Sequence, residues 1–511
     1  MMCAFLLPLL GAPVIGFRCC SEMPVNRIGV SCQSDPRTPR CAAPGGAHFF
    51  AHRRRADSSA WVHSPVQGPL GSLGVPMDSR PVPRRGWPRH RWAALAMILG
   101  ASLAFSGCVN ETRSAPDLTV PPGSRLPAGV TERLDAALAD GLALSGSSGA
   151  LAGVWAPWAG DWVATPGTTT MTGDTPMTPD MRFRIGTNTT SMTCTVLLRL
   201  VEDGRVRLDD LVSRYLSRSA EVEGITLGQL CRNTSGLADY YRALSPQFVD
   251  NPTRQWPPME ILASGLAGKR LSAPGGAWSQ SSTGIILLGM ALQSATRQDW
   301  GSLYRRYIFE PLGLAQTSFP SSDDVRLPDP HPHGYAAAVD AAGLPSCDQL
   351  RDETELSNSM GWVAGGVVST LADLRTWARA FAEGSVLSEA STDAQWATVP
   401  QGGTSPLWQR YGLGGQQLGP LRGQAGAIPG FLSATLVDPA SGLTIAVVLN
   451  NSTAGSAFVQ ALAQRLAGIA AKAPATEAAE APAIRLPWSA EQAAEAMRAG
   501  AACQAATVAA G

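Results

Sequence analysis

Lysine is nearly absent from this chain, and its scarcity limits the catalytic chemistry that the sequence can encode. Only Lys269 and Lys472 occur among the 511 residues. Leu266 and Ile469 stand three positions before them, so the chain contains no Ser-x-x-Lys sequence. It contains no Gly-x-Ser-x-Gly sequence either, which excludes the nucleophile elbow of α/β-hydrolases. Two common arrangements for an activated serine are therefore missing.

The chain also has no net charge and no cysteine or histidine spacing typical of a metal site. Arginine plus lysine and aspartate plus glutamate each number 40, so the formal charge is zero. Nothing in this balance favours a nucleic acid as a partner. No C-x-x-C or histidine-rich spacing occurs, and we predict no metal ion and no other cofactor. His331 and His333 fall in a proline-rich turn, which is typical of a surface loop.

The N-terminal region has the layout of a secretory leader. Residues 1–76 are rich in proline, arginine and cysteine and lack periodicity, so we interpret them as a non-native upstream extension with the true start at Met77. A basic segment follows, then the apolar run of residues 92–105, then Ser-Gly before Cys108. This order predicts a lipoprotein signal peptide over residues 77–107 that is cleaved before Cys108.

Lipidation of Cys108 would anchor an exported protein to the outer face of the bacterial cytoplasmic membrane, with residues 108–128 as a tether. Two alternatives remain open: residues 92–105 are an uncleaved membrane anchor, although the run is short for a span, or Arg84-Arg85 belongs to a twin-arginine export signal. An exported compartment permits disulfides. The cysteines that follow Cys108 are Cys194, Cys231, Cys347 and Cys503. Four cysteines allow three sets of disulfide pairs, and the sequence does not distinguish among them.

Hydrophobic periodicity places strands at both ends of the remaining chain and helices between them. Strands are predicted as a hairpin within residues 149–163 and as the runs 430–437 and 443–449. Helices are predicted at residues 129–144, 187–202, 226–237, 372–383 and 456–471. This order favours an α/β fold in which the N- and C-terminal segments form one antiparallel sheet flanked by helices, with an all-helical insert. The domain covers residues 129–470, and residues 471–511 read as an Ala-rich, flexible C-terminal tail with one short helix near 489–502.

Six short blocks occur in an order that is informative as a set. They are Phe183-Arg-Ile-Gly-Thr-Asn-Thr-Thr190, Thr234-Ser-Gly-Leu237, Pro274–Gly284, Ala364–Leu374, Tyr411-Gly-Leu-Gly414 and Gln424–Phe431. They resemble F-x-I-G-S-x-T-K, H-T-S-G-L, P-G-x-x-W/F-x-Y-S-N-x-G, A-G-G-L-x-S-T-x-x-D-L, Y-G-L-G and H-x-G-x-x-P-G-F of the serine β-lactamase and penicillin-binding protein (DD-peptidase) superfamily. The likeness is to the branch related to class C β-lactamases. It implies a β-lactamase/DD-peptidase-like fold.

The resemblance also implies positions for a catalytic site, and most of them carry the wrong side chain. Thr187 stands at the nucleophile position, Thr190 at the lysine that helps to deprotonate it, and Gln280 at the tyrosine that assists proton transfer. Neither Thr190 nor Gln280 can act as a base near neutral pH. The catalytic positions Thr187, Thr190 and Gln280 are therefore expected to be degenerate.

The binding positions implied by the resemblance are partly retained. Ser282 replaces the asparagine that binds the substrate amide, and Gln424 replaces the histidine or lysine of the inner strand, whereas Gly426 matches. The backbone N–H groups of Thr187 and Ala427 would form the oxyanion hole, which any side chain permits. Such a pocket could hold a carbonyl or carboxylate group.

These observations predict a catalytically silent exported lipoprotein that binds a peptidoglycan peptide or another envelope protein. One alternative is an active hydrolase of D-Ala-D-Ala peptides, β-lactams or esters, with Thr187 as its nucleophile and an acid such as Asp239 or Glu353 as its base. A second alternative is a membrane-tethered assembly protein that binds its partner through residues 473–511.

Overall fold

The computed structural model describes residues 124–217, 222–339, 344–476 and 479–502. The predicted upstream extension, signal peptide and lipidated Cys108 lie outside these residues, as does Cys503. In the described part of the chain, no helix is long and apolar enough to cross a membrane.

The described chain contains a run of helices from α3 to α8 and a run of strands from β7 to β12. The helices are α1 (Ala128–Ser145), α2 (Thr189–Glu202), α3 (Leu227–Cys231), α4 (Tyr240–Asp250), α5 (Pro258–Leu266), α6 (Ser282–Thr296), α7 (Trp300–Tyr304), α8 (Glu310–Leu312), α9 (Leu371–Glu383), α10 (Glu389–Trp396), α11 (Gly455–Ala470) and α12 (Ala490–Ala499). The strands are β1 (Ala150–Ala156), β2 (Gly160–Ala164), β3 (Phe183–Arg184), β4 (Tyr335–Val339), β5 (Pro345–Asp352), β6 (Val368–Ser369), β7 (Val399–Pro400), β8 (Gln409–Tyr411), β9 (Gln416–Leu418), β10 (Leu421–Ile428), β11 (Phe431–Val437) and β12 (Thr444–Leu449).

An eight-stranded antiparallel sheet joins the two ends of the domain. Its strand order is β2-β1-β12-β11-β10-β9-β8-β7. The N-terminal hairpin pairs with the C-terminal strands through β1 and β12, in a register that places Ala150 opposite Leu449. The predicted fold class is therefore confirmed: segments from both ends of the domain share one antiparallel sheet flanked by helices.

The sheet is covered on both faces, which explains why β11 and β12 are buried along their whole length. Alternate residues of β1 point to opposite faces. Ala152 and Val154 pack with α1 and α11 in one apolar cluster, whereas Leu151 and Trp155 join the larger cluster that includes α9 and the insert. Continuous apolar runs are typical of strands buried on both faces.

The insert lies between β3 and β6 and is mainly helical, as predicted, but it also contains the β4–β5 hairpin. The run Ala336 to Ala338 gave no alternating pattern, so the sequence did not indicate a strand there. The predicted helix at residues 226–237 is shorter than expected. It ends as α3 at Cys231, and two residues later Asn233 takes a left-handed backbone conformation with φ 56°, which a continuing helix cannot accommodate.

The segment after α11 packs on the domain where we predicted a flexible tail. The indole N–H of Trp158 donates to the carbonyl of Ala473, and that of Trp488 donates to the carbonyl of Gln464, both at 3.0 Å. Met497 of α12 is fully buried in the cluster formed by α1 and α11. The predicted short helix is present as α12, and burial of its apolar face holds residues 479–502 against the sheet layer.

Candidate functional site

Two glycines allow the segment before α2 to lie directly against strand β10. A Cβ atom at Gly426 would stand 2.5 Å from the carbonyl oxygen of Ile185 and 2.7 Å from the amide nitrogen of Asn188. Gly186 has φ +55°, and a Cβ atom there would lie 2.7 Å from the carbonyl carbon of Ala427. Only glycine fits such an approach of two backbones. The start of α2 and the middle of β10 therefore form one rigid unit.

The hydroxyl of Thr187 makes both of its hydrogen bonds to the backbone of β10. It donates to the carbonyl oxygen of Ala425 and accepts from the N–H of Ala427, each at 3.2 Å. The Ala427 N–H is one of the two groups that the sequence predicted as oxyanion donors. It is thus engaged by the side chain at the nucleophile position.

Thr190 lies one helical turn after Thr187 and is buried. Its hydroxyl donates to the carbonyl of Ala364 at 3.5 Å, which is the outer limit for such a bond. Among the described residues, no carboxylate, imidazole or amine hydrogen-bonds the hydroxyl of Thr187 or Thr190. The two threonines lie one helical turn apart, and no described base is hydrogen-bonded to either hydroxyl.

Gln424 is held in a network on the inner side of β10. Its amide nitrogen donates to the hydroxyl of Tyr411 at 3.0 Å and to the carbonyl of Gly414 at 3.3 Å, while its amide oxygen accepts from Gln416 at 3.3 Å. Burial raises the pKa of Tyr411 to about 12, although hydrogen bonds from Gln424 and Asn233 oppose the shift. Tyr411 is thus neutral near pH 7. The sequence contained this tyrosine in the Y-G-L-G block but gave it no role.

Ser282 and Gln280 lie on the insert side of the site. Ser282 begins α6, and its backbone N–H donates to the Oδ1 atom of Asp239 at 3.2 Å. The same oxygen accepts from the N–H of Tyr241 at the start of α4. Burial raises the pKa of the Asp239 carboxyl, against the lowering effect of these backbone hydrogen bonds. Gln280 is exposed and makes no described hydrogen bond to Gln424.

Asp239 therefore acts as a structural link between α4 and α6, and no described hydrogen bond joins it to Thr187. Glu353, the other acid considered as a base, is fully buried with both carboxyl oxygens lacking a hydrogen-bond partner. Burial raises its pKa to about 8. Glu353 lies behind the β10–β11 turn. A Cβ atom added at Gly430 of this turn would stand 3.5 Å from the Cβ atom of Glu353. Neither acid is bonded to the nucleophile position.

A disulfide joins the two sides of the site. Cys194 of α2 is bonded to Cys231 at the end of α3, and both are fully buried. Gly414 packs against this bridge, with its N–H donating to the carbonyl of Cys231 at 3.0 Å. The sequence left the pairing open, because cysteine positions alone do not fix distances. The structure selects the pairing that ties α2 to the loop containing Asn233.

Asn233 is a further member of the site that sequence reasoning had not singled out as functional. Its side-chain oxygen accepts from the N–H of Ser281 at 3.1 Å, and its carbonyl accepts from the N–H of Ser279 at 2.8 Å. Asparagine tolerates the left-handed conformation found here better than most residues do. The signal in the sequence was its place directly before Thr234-Ser235-Gly236.

The site and the fold can now be compared with known proteins. A family model described as Beta-lactamase matches residues 134–469. D-alanyl-D-alanine-carboxypeptidase/endopeptidase AmpH of Escherichia coli is 29% identical over 206 residues, which are 39% of this chain and 48% of AmpH. Penicillin-binding protein 4 of Amycolatopsis lactamdurans is 27% identical over 326 residues, which are 58% of this chain and 78% of that protein.

Solved structures agree with the sequence relatives. A D-stereospecific amidohydrolase from Streptomyces sp. superposes with a TM-score of 0.54 at 28% identity, covering 63% of this chain and 94% of that one. The aligned part spans about half of the length of AmpH, so the likeness concerns the domain. Because the matching family model spans well over half of the sequence, and the motif blocks converge on one site in the order that the family shows, this chain belongs to the β-lactamase family.

Proposed function

We propose that this β-lactamase-family domain is catalytically silent and binds a D-amino-acid-containing peptide of the cell envelope. One observation carries the proposal. The hydroxyl at the nucleophile position bridges the carbonyl of Ala425 and the N–H of Ala427, and no described group beside it can take its proton. A threonine without an adjacent base is a weak nucleophile.

The expected reduction in the acyl-transfer rate is large enough to support catalytic silence rather than slow turnover. Members of a catalytic unit act together, and loss of one commonly reduces the rate by about 10³–10⁶. Here the lysine and tyrosine positions hold Thr190 and Gln280. The hydroxyl of Thr187 would also have to leave Ala427 before that N–H could stabilise an oxyanion. Because these groups act as one unit, their effects overlap, and the loss of any one of them is expected to suppress acyl transfer.

The groups that remain are suited to binding a peptide. The exposed Gln280 offers an amide group, and the backbone N–H groups of Thr187 and Ala427 are the donors for a ligand carbonyl. Rotation of the Thr187 side chain would release the Ala427 N–H for a ligand carbonyl or carboxylate. AmpH is named as a D-alanyl-D-alanine-carboxypeptidase/endopeptidase, and the Streptomyces protein is named as a D-stereospecific amidohydrolase. We extend only the D-alanyl ligand class of AmpH to this chain. Another envelope protein is the alternative ligand.

The proposal includes a location. We infer an exported protein, attached through lipidated Cys108 to the outer face of the bacterial cytoplasmic membrane. A tether of about 20 residues, extended at up to roughly 3.3 Å per residue, would let the domain reach cell-wall peptides. Labelling with a radioactive fatty acid, with Cys108→Ser as the control, tests this part separately. Label retained in the variant would contradict it.

Intact-protein mass spectrometry with a reporter penicillin tests catalytic silence. We expect no covalent mass gain on the purified protein. The positive control restores the family's residues as Thr187→Ser, Thr190→Lys, Gln280→Tyr, Ser282→Asn and Gln424→His. A second variant, matched to this control, keeps Thr190 and carries the other four changes. A stoichiometric adduct on Thr187 of the unaltered protein would make it an acylating enzyme and would overturn the proposal.

Calorimetric titration tests ligand binding. The probe is diacetyl-L-Lys-D-Ala-D-Ala, and the matched control is the same peptide with two L-alanines. We expect heat of binding for the D-peptide alone. Equal binding of both peptides, or of neither, would contradict the proposed ligand class, and a pull-down of envelope proteins would then test the alternative.

A further inference from the structure

A concave surface beside α9 is separate from the catalytic and binding positions of the candidate site. A cavity of about 590 Å³ opens between α9 and the β1–β2 hairpin. Trp155, Leu312 and Leu371 form apolar walls, and Arg375, Arg379 and Glu383 project from α9. This volume is within the roughly 300–1,000 Å³ typical of small-molecule sites. The lining includes none of the catalytic and binding positions named above, which are Thr187, Thr190, Gln280, Ser282, Gln424, Gly426 and Ala427.

Arg375 is the unusual feature of this cavity. Its guanidinium carbon lies 4.5 Å from the centroid of the Trp155 ring. In the described part of the chain, it makes no hydrogen bond and no ion pair. Stacking on an aromatic ring uses the flat face of the guanidinium and leaves its five in-plane N–H donors available. The cation is thus oriented, and its donors have no hydrogen-bond partner among the described residues.

The surrounding charges leave Arg375 as the cation available to a ligand. Arg379 donates from both Nε and Nη2 to the Oε1 atom of Glu383, at 3.2 and 3.1 Å, so these two charges offset each other. Asp161 is the acid that interacts with Arg375 electrostatically, but it is not within ion-pair distance of it. Burial lowers the pKa of Arg375, and burial raises the pKa of Asp161. Both side chains are partly buried.

We propose that this cavity binds an anionic amphiphile, a molecule with one phosphate or carboxylate group and a short apolar body. The anionic group pairs with the in-plane donors of Arg375, as guanidinium groups do with phosphate and carboxylate. The apolar body lies on the exposed Val163 and the partly exposed Leu312, which line the same cavity. Partial burial strengthens the ion pair relative to an exposed one. This site does not depend on the proposed peptide binding at Thr187.

Titration with octyl phosphate, followed by intrinsic tryptophan fluorescence and calorimetry, tests the proposal on the purified protein. Octyl glucoside supplies the same chain without charge, and inorganic phosphate supplies the charge without the chain. We expect saturable binding of octyl phosphate, and binding at least tenfold weaker for each of the other two. Equal binding of octyl phosphate and octyl glucoside would show a merely apolar surface and would overturn the proposal.

Variants locate the binding. Arg375→Gln is expected to weaken octyl phosphate binding about tenfold to a hundredfold, because a charge-assisted hydrogen bond is lost. Arg375→Lys keeps the charge and should recover part of the affinity. Arg133→Gln is the matched control, since it removes one exposed cation from α1 on the opposite face of the sheet. An unchanged affinity in Arg375→Gln would overturn the proposal.

A variant that leaves Arg375 in place distinguishes loss of the binding site from misfolding of the protein. Ala372 is exposed at the mouth of the cavity, so Ala372→Trp fills the opening without entering the core. We expect it to abolish octyl phosphate binding while thermal unfolding stays within about 1 °C of the unaltered protein. Binding that persists in Ala372→Trp would place the amphiphile elsewhere and contradict the proposal.

Discussion

The side-chain oxygen of Thr187 accepts a hydrogen bond from the backbone N–H of Ala427 at 3.2 Å. One of the two donors expected to hold a ligand carbonyl is therefore occupied by the protein's own hydroxyl. In an acyl-transfer site this N–H would face the substrate oxygen. The relationship explains how a site can retain its backbone geometry and still lack a free oxyanion hole.

Removal of the Thr187 hydroxyl should strengthen peptide binding. Thr187→Ala frees the Ala427 N–H, and a competing internal hydrogen bond is worth about 0.5–1.5 kcal/mol. We therefore expect the affinity for the D-Ala-D-Ala peptide to rise about 2- to 10-fold by calorimetry. Thr187→Ser keeps the hydroxyl and serves as the control. Weaker binding in Thr187→Ala would show that the hydroxyl contacts the ligand directly.

Gly426→Ala should destabilise the domain. The new methyl group would stand 2.5 Å from the carbonyl oxygen of Ile185, and overpacking of this kind costs about 1–3 kcal/mol. Gly129→Ala is the matched control, because nothing lies within 4 Å of a Cβ atom there. Urea denaturation measures both variants. Equal stability of the two would show that β10 and the segment before α2 can separate without cost.

Loss of the Cys194–Cys231 disulfide should destabilise the folded state. The bridge closes a loop of 37 residues, for which constraint of the unfolded chain predicts about 2–4 kcal/mol. We expect Cys194→Ala, Cys231→Ala and the double variant to lose similar amounts in urea denaturation, since either change breaks the same bond. Additive losses would show that each side chain stabilises the fold by packing alone.

Glu353 should make stability fall as pH rises. Burial raises its pKa from the ordinary 4.5 to about 8, so the folded state holds the proton more tightly than the unfolded chain does. This stabilisation is complete below about pH 4.5 and is lost as the pH rises toward 8, by a few kcal/mol at most. Arg184 and Arg351 oppose the shift, whereas Asp250 and Asp352 increase it.

Glu353→Gln tests this dependence. The variant should show a smaller change in the urea midpoint between pH 5 and pH 8, and it should be more stable than the unaltered protein at pH 8. Glu355→Gln, an exposed change two residues away, is the matched control. The same pH dependence in Glu353→Gln and in the unaltered protein would assign it to other groups.

The strands and helices that were predicted correctly have strong local signals. The helix of residues 129–144 corresponds to α1, and the runs 430–437 and 443–449 correspond to β11 and β12. Helical periodicity of apolar residues produced the first signal, and apolar runs joined by a turn-rich link produced the other two. The β4–β5 hairpin was missed, because Ala336 to Ala338 lacks alternation, and the packed C-terminal segment was missed, because its contacts are with distant residues such as Trp158.

The candidate site also has some features that local sequence indicates and others that depend on contacts between distant segments. The ordered motif blocks predict that Thr187, Thr190 and Gln424 belong to one site, because the resemblance assigns each block a part of that site. The roles of Tyr411 and Asn233 could not be predicted, because they arise from hydrogen bonds between segments far apart in sequence.

The sequence by itself determined the family, the antiparallel sheet shared by both ends of the domain, and the loss of titratable side chains at the catalytic positions. These depend on residue identity and local order. Tertiary structure alone decided that Thr187 occupies the Ala427 N–H, that Cys194 bonds Cys231, and that Arg375 stacks on Trp155 beside a cavity. Hydrogen bonds, disulfides and cavities depend on distances of a few ångströms between segments, and only the packed chain sets those distances.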